Sequence, residues 1–142
     1  MENPLLELQE YENLLEALKK AKGPLQAAGT LESQKVHLMH ELGEDGGFPW
    51  KLVVTYDEQR AKEIYDDFRS FTRQVWLYPA KDLLFYAADI HGNLMTRQRI
   101  SVLRHLMEDE GGVVVTTIDG LMDHLMPLAF LKQHAVTVEC GQ

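Results

Sequence analysis

The chain has 142 residues, of which 45% are hydrophobic and 25% charged, a composition typical of one soluble globular domain. Its net charge of -8 argues against a free-standing binder of duplex DNA, because neutralising phosphates requires a basic face. The single cysteine and the lack of an apolar run long enough to span a bilayer predict a cytoplasmic protein without internal disulfides or a membrane partner.

An amphipathic helix is predicted over residues 4–21. Asn3 provides a cap, Pro4 suits the first helical position, and Gly23 with Pro24 ends the helix. Glutamates cluster near its start and lysines near its end, which complements the helix dipole. We expect its leucine-rich face to dock on this domain or on a neighbour.

The next segment has the layout of a phosphate-binding loop. Residues 25–28 could form a brief strand, and a helix is predicted over 31–42, with a glycine turn between them. A working loop also needs a Gly-Lys-Ser/Thr sequence to hold phosphates and metal, and this turn lacks one. The remnant of the loop would comprise Ala28, Gly29, Thr30, Ser33 and Lys35. We therefore expect no nucleotide cofactor and a turn that keeps only the shape.

Three further strands are predicted, over residues 50–56, 75–77 and 113–115. The last is a continuous run of valines, which is typical of a strand buried on both faces. Helices are predicted over 57–71, over 94–109 and from 118 until Pro127 ends the last one. Strands that alternate with helices predict an α/β fold with a parallel sheet between two helical layers.

The helical periods also predict which side chains face the core. On the helix over 94–109 the inward positions are Ile100, Leu103 and Met107, and the arginines occupy the polar side. A second apolar stripe follows the valine run and comprises Ile118, Leu121, Met122 and Leu125. Beyond Pro127, a short helical turn is predicted over 129–131 and an alternating strand over 134–139.

No catalytic or metal-binding constellation is predicted. His37 and His40 could share one face of a metal, but no further ligand cluster completes the site, so a solvated helix face is the better interpretation. Asp119, Asp123 and His124 are acid–base candidates that are better explained as a first-turn anion and the outer face of a helix. Because no nucleophile, base and orienting group coincide, we predict that this chain is not an enzyme.

Three arginines are the remaining candidates for binding. Arg97, Arg99 and Arg104 could contact a carboxylate or a phosphate, which makes them a possible interaction surface. The alternative is a solvated helix face, and the residue types alone favour it.

Several segments together resemble the bacterial transcription-repair coupling factors, the Mfd family. The resemblance is carried by residues 77–83, 97–103, 113–117 and 119–127 in this order and spacing. Residues 29–38 resemble the broken phosphate loop of that family. No single one of these segments is as specific as an intact phosphate loop.

The resemblance implies a degenerate P-loop NTPase lobe of the RecA/helicase type, similar to domain 1a of the nucleotide excision repair protein UvrB. Residues 1–133 would form this lobe, and 134–142 would be the first strand of a following UvrA-binding domain. The implied function is a non-catalytic scaffold in transcription-coupled nucleotide excision repair that supports UvrA recruitment and interdomain autoinhibition.

The implied partners are other domains of the same full-length chain and UvrA, with RNA polymerase and DNA reached only through the full-length protein. The alternative is a nucleotide- or small-ligand-binding domain that uses the carboxyl edge of the sheet. It predicts a concave pocket with converging polar groups near Gly29, Tyr56, Tyr78 and Thr117.

Overall fold

The computed structural model describes residues 4–80, 90–108, 110–123, 125 and 127–134. Three parallel strands form one sheet in these ranges: β1 (Trp50–Thr55), β2 (Val75–Tyr78) and β3 (Gly112–Thr117). The helices are α1 (Gln9–Lys20), α2 (Glu32–Asp45), α3 (Glu58–Phe68), α4 (Ile90–Glu108), α5 (Ile118–Met122) and α6 (Leu128–His134). They flank both faces of the sheet, which confirms the predicted α/β fold with a parallel sheet.

The valine run is the centre of this sheet. The strand order is β1-β3-β2, so β3 bonds to a parallel neighbour on each side. Val113 lies opposite Lys51 of β1 and Val75 of β2 in the register. Every residue of β3 is buried, which is the environment that a continuous β-branched run predicts.

Two apolar clusters fill the space between the sheet and its helices. On one face, α2 and α3 cover the sheet with Val36, Ala61, Ile64 and Phe68. On the other face, α4 contributes Val102 and Leu103, which pack against Tyr78 and Val114, and Leu131 of α6 adds to the edge of the cluster. The predicted three layers are therefore present.

The entry into β3 depends on a glycine. Gly112 has a φ of +143°, and a Cβ built on it would lie 2.3 Å from the Trp76 ring and 2.6 Å from the backbone oxygen of Gln74. Its N–H donates to the carbonyl of Pro49 at 2.7 Å. Only a residue without a side chain lets the three backbone segments approach this closely.

The N-terminal helix is shorter than predicted. Pro4–Glu7 forms a 3-10 turn, Leu8 is extended, and α1 begins at Gln9. Tyr11 is the one buried residue of α1, and its hydroxyl donates to Asp45 Oδ2 at the end of α2 at 2.6 Å. This bond ties the helix to its own domain.

Several other predicted boundaries change. Residues 25–28 are exposed and do not form a strand, because two alanines and no β-branched residue offer a sheet little apolar area. The helix after β3 ends at Met122, well before Pro127. The predicted strand over 134–139 lies outside the described residues except for His134, which ends α6. Among the described helices, none combines the length and apolarity that crossing a bilayer requires.

The predicted inward face of α4 is wrong at one position. Ile100 is more than half exposed, whereas Arg99, Val102 and Leu103 are buried. Relative to the prediction, α4 is rotated about its axis so that Arg99 faces the interior and Ile100 faces solvent. The internal partners of Arg99, described below, explain why this rotation is tolerated.

Candidate interaction surface

The segment that would carry a phosphate loop is an exposed turn. Gly29 has a φ of +85°, and the space around it is open. Leu31 caps α2 without a side-chain hydrogen bond, so Thr30 does not take the place of a loop hydroxyl at the cap. Ala28 and Thr30 instead line a cavity of about 410 Å³ between the N-terminal segment and α2. Most of the lining side chains are apolar, including Leu5, Leu8, Leu14 and Leu38.

The cation of the predicted loop is already paired. Lys35 contacts the carboxylate of Glu32 one turn earlier on α2, and Arg60 of α3 contacts the same carboxylate. The hydrogen bond from Lys35, together with the charges of both cations, lowers the pKa of Glu32. An anion thus occupies the first turn of α2, where a phosphate would sit in a working loop. The side chain of Ser33, the remaining hydroxyl of the predicted loop, lies outside the described part of the structure.

The polar groups at the carboxyl edge of the sheet bind one another. The carboxylate of Glu58 accepts from the N–H of Ala80 at 2.9 Å and from the hydroxyl of Thr117 at 3.3 Å. Thr117 Oγ1 also accepts from the N–H of Gly120 at 3.1 Å, which caps α5. Thr116 donates to the carbonyl of Tyr78 at 2.8 Å. These groups are satisfied internally, so they do not converge on a ligand.

The alternative ligand site therefore lacks the arrangement it needs. Tyr78 lies opposite Thr116, the residue before Thr117, at the ends of the parallel strands β2 and β3. Tyr56, in contrast, is 73% exposed, and Gly29 faces open space. A polar pocket formed by all four residues is not present in the described part of the carboxyl edge.

The three candidate arginines separate into two environments. Arg97 is exposed, and Arg104 is exposed and pairs with Glu108 at 3.0 Å on the same helix. Arg99 is only 7% exposed and is not part of an accessible surface, which corrects the prediction for this residue. The sequence pattern did not reveal its burial, because its partners lie far away along the chain.

Arg99 holds together three parts of the fold. Its Nη1 donates to the carbonyl of Pro79 at 2.9 Å and to Asp123 Oδ2 at 2.6 Å. The guanidinium carbon also lies 4.4 Å from the centre of the Tyr78 ring. Burial raises the pKa of Tyr78, and the nearby charge of Arg99 opposes this rise. The sequence predicts Asp123 on an outer helix face, whereas in the structure it follows α5 and pairs with Arg99.

Large apolar side chains are exposed beside β1. Leu52 and Val54 point from β1 to the side of the sheet that α4 covers, but they are 59% and 43% exposed. Leu52 lines a cavity of about 280 Å³ together with Leu121 and Leu125, which are also exposed. We call Leu52, Val54, Leu121 and Leu125 the apolar face. The sequence predicted Leu121 and Leu125 as inward residues of a long helix, and the early end of α5 leaves them at the surface.

The apolar face exists because α4 covers only part of the sheet. A helix is about 10 Å wide and neighbouring strands are about 4.8 Å apart, so one helix covers about two strands. Val102 and Leu103 of α4 pack against β2 and β3. The corresponding half of β1 has no helix above it in the described part of the chain.

Comparison with known proteins supports one relationship. The chain is 28% identical over 107 residues to the transcription-repair-coupling factor of Escherichia coli, a match that covers 74% of this chain and 9% of that protein. It is 25% identical over 93 residues to the factor of the same name from Staphylococcus epidermidis, which covers 64% and 8%. The matched part of the chain thus spans less than a tenth of the length of these relatives. No protein-family model and no solved structure matches it significantly.

Proposed function

We propose that this chain, which is related to a segment of the transcription-repair-coupling factors, is a non-catalytic docking module of such a factor. The apolar face is the observation that carries the proposal. Two exposed apolar side chains on β1 and two at or after α5 beside it are more than scattered surface residues, and such patches mark interaction sites. The relatives are more than ten times longer than the matched segment, which supports other domains of the same chain as the occupants.

The energy available from this face is substantial. Its members are about half exposed, and burying a complete leucine side chain contributes about 1.5–3 kcal/mol. Covering all four would therefore contribute about 4 kcal/mol before ordering costs are subtracted. That is enough to hold a domain of the same chain, because the covalent link makes docking an intramolecular step with a high effective concentration.

Docking can be tested by supplying the rest of the factor as a separate polypeptide. The 142-residue chain is mixed with the Escherichia coli factor from which the matched segment has been removed, and binding is measured by calorimetry. We expect binding that is weakened about tenfold or more by Leu52→Ser with Leu121→Ser, which removes about 2 kcal/mol of burial. Leu31→Ser is the matched control, because Leu31 is a leucine at least as exposed as those two but lies outside the apolar face.

The proposal fails if the double variant binds as well as the unmodified chain. Circular dichroism of each variant shows whether the fold is retained, so that loss of binding is not confused with unfolding. The replaced leucines are already partly in water, and we expect both variants to fold.

The absence of catalysis is a second part of the proposal. It is supported by the pairing of Lys35 with Glu32 and by the internal bonds of Glu58 at the carboxyl edge. Titration of the chain with ATP and Mg²⁺ should give no saturable heat. Micromolar binding that is lost in Lys35→Ala would overturn this part and would favour a working nucleotide site.

The finer role that we propose is support of UvrA recruitment and of interdomain autoinhibition in transcription-coupled nucleotide excision repair, in the cytoplasm. The resemblance assigns the main UvrA contact to a domain that begins near residue 134, so the lobe would act through its neighbour. RNA polymerase and DNA would be reached only through the full-length protein. A pull-down of UvrA should recover a chain extended past Gln142, and the 142-residue chain weakly or not at all. Strong retention of the short chain would show that the contact surface lies within it.

A further inference from the structure

Three side chains that can ligate a metal converge between the end of α4 and the start of β3. They are His105, Glu108 and Glu110, and one ligand atom from each lies within 4.8 Å of the other two. His105 Nδ1 is 3.6 Å from Glu108 Oε2 and 3.9 Å from Glu110 Oε2. Two ligands bound tetrahedrally at about 2.1 Å are about 3.4 Å apart, so small side-chain movements would bring all three onto one ion.

The ring of His105 is held by stacking, yet its Nδ1 atom makes no hydrogen bond with the described residues. The imidazole stacks on Trp76 with 4.5 Å between ring centres and 26° between planes. Nδ1 is buried from solvent and has no hydrogen-bond partner in the described part of the chain. A buried polar atom without a partner is costly, and a metal ion between the nitrogen and the two carboxylates would satisfy it.

The surroundings also favour a cation. Glu108 is the last residue of α4, where the helix dipole places partial negative charge. Arg104 Nε lies 3.0 Å from Glu108 Oε1, so this arginine holds one oxygen of the carboxylate and leaves the other facing His105. Second contacts of this kind orient metal ligands in known sites.

We propose that His105, Glu108 and Glu110 form a binding site for a divalent transition-metal ion of the zinc type. One imidazole and two carboxylates suit zinc, and a solvent molecule would complete four-coordination. A bound ion would connect the end of α4 to the start of β3 and so stabilise the central strand of the sheet. The histidine pair singled out in the sequence does not form this site, since His37 and His40 stack on Phe71 instead.

The test is titration of the metal-free 142-residue chain with zinc chloride by calorimetry. We expect one saturable site, a rise in the melting temperature with zinc, and loss of both in His105→Phe, which keeps a ring against Trp76 but removes the ligand atom. Glu110→Gln, which keeps the size of the side chain, should weaken zinc binding about tenfold or more. His37→Phe is the matched control. His37 has the carboxylate of Glu41 3.6 Å away, but the described residues place no third metal ligand beside this pair.

Two outcomes would overturn the proposal. One is the absence of saturable heat at about a hundredfold excess of zinc over protein, in a chain whose circular dichroism shows the native fold. The other is equal zinc affinity in Glu110→Gln and the unmodified chain. Either result would identify the cluster as a group of side-chain contacts that does not hold a metal.

Discussion

Arg99 Nη1 lies 2.6 Å from Asp123 Oδ2 and thereby joins the interior of α4 to the first residue after α5. Both charges are largely removed from water, and the carbonyl of Pro79 satisfies the same guanidinium nitrogen. A pair of this kind is costly to break, because the remaining charge stays largely desolvated and loses the opposite charge that compensated it. The bond holds the residue at which α5 ends, next to Leu121 and Leu125 of the apolar face.

Replacing Arg99 should therefore destabilise the fold. We expect Arg99→Met to lower the free energy of unfolding by about 2–4 kcal/mol, since Asp123 loses its cation and Pro79 its donor. Urea unfolding followed by circular dichroism measures this change. Arg97→Met on the exposed side of α4 is the control and should alter stability by less than about 0.5 kcal/mol. Equal effects of the two substitutions would contradict the buried role of Arg99.

Thr117 is expected to stabilise the start of α5. Its Oγ1 accepts from the N–H of Gly120 and donates to Glu58, so Thr117→Ala removes two hydrogen bonds at a buried position. The loss should be about 1–2 kcal/mol in thermal or urea unfolding. Thr117→Ser retains the hydroxyl and should recover most of that stability. If serine is as destabilising as alanine, the lost methyl packing, and not the cap, explains the effect.

Gly112 and Gly47 provide a matched pair of glycines with positive φ. Gly47, at φ +70°, has no atom within 4 Å of an added Cβ, so Gly47→Ala should cost only the conformational penalty of about 1–2 kcal/mol. Gly112→Ala adds a clash with Trp76 and with the backbone of Gln74, and it should cost several kcal/mol more or prevent folding. Comparing soluble yield and melting temperature of the two variants measures the difference. Similar values would mean that β2 can move away from β3 at this point.

The buried phenol of Tyr78 predicts a loss of stability in alkali. Because burial raises the pKa of Tyr78, the folded chain holds this proton more strongly than the unfolded chain does. This stability is complete below the unfolded pKa of about 10 and declines as the pH rises above it towards the folded value. Urea midpoints between pH 9 and 11 should fall, and Tyr78→Phe should reduce the slope. An unchanged slope in the variant would assign the decline to other tyrosines.

Local sequence patterns were sufficient for the fold class and for the three strands of the sheet. The valine run from 113 to 115 predicts a strand buried on both sides, because three β-branched apolar residues in succession have no polar face to offer to water. The buried residues Ala61, Ile64 and Phe68 of α3 recur at the helical period. These features depend on residues within a few positions of one another, and that is why they can be read before the fold is known.

The tertiary structure alone decided the environment of Arg99 and the position of the apolar face. Arg99 is buried because Pro79 and Asp123, separated from it by 20 and 24 positions, meet it in space. In the described part of the chain the apolar face is open because α4 packs against β2 and β3. No local pattern states which strand stays uncovered. The sequence determined the strands and the main helices through short-range periodicity. Long-range contacts between these elements determined which polar groups are buried and which apolar groups remain exposed.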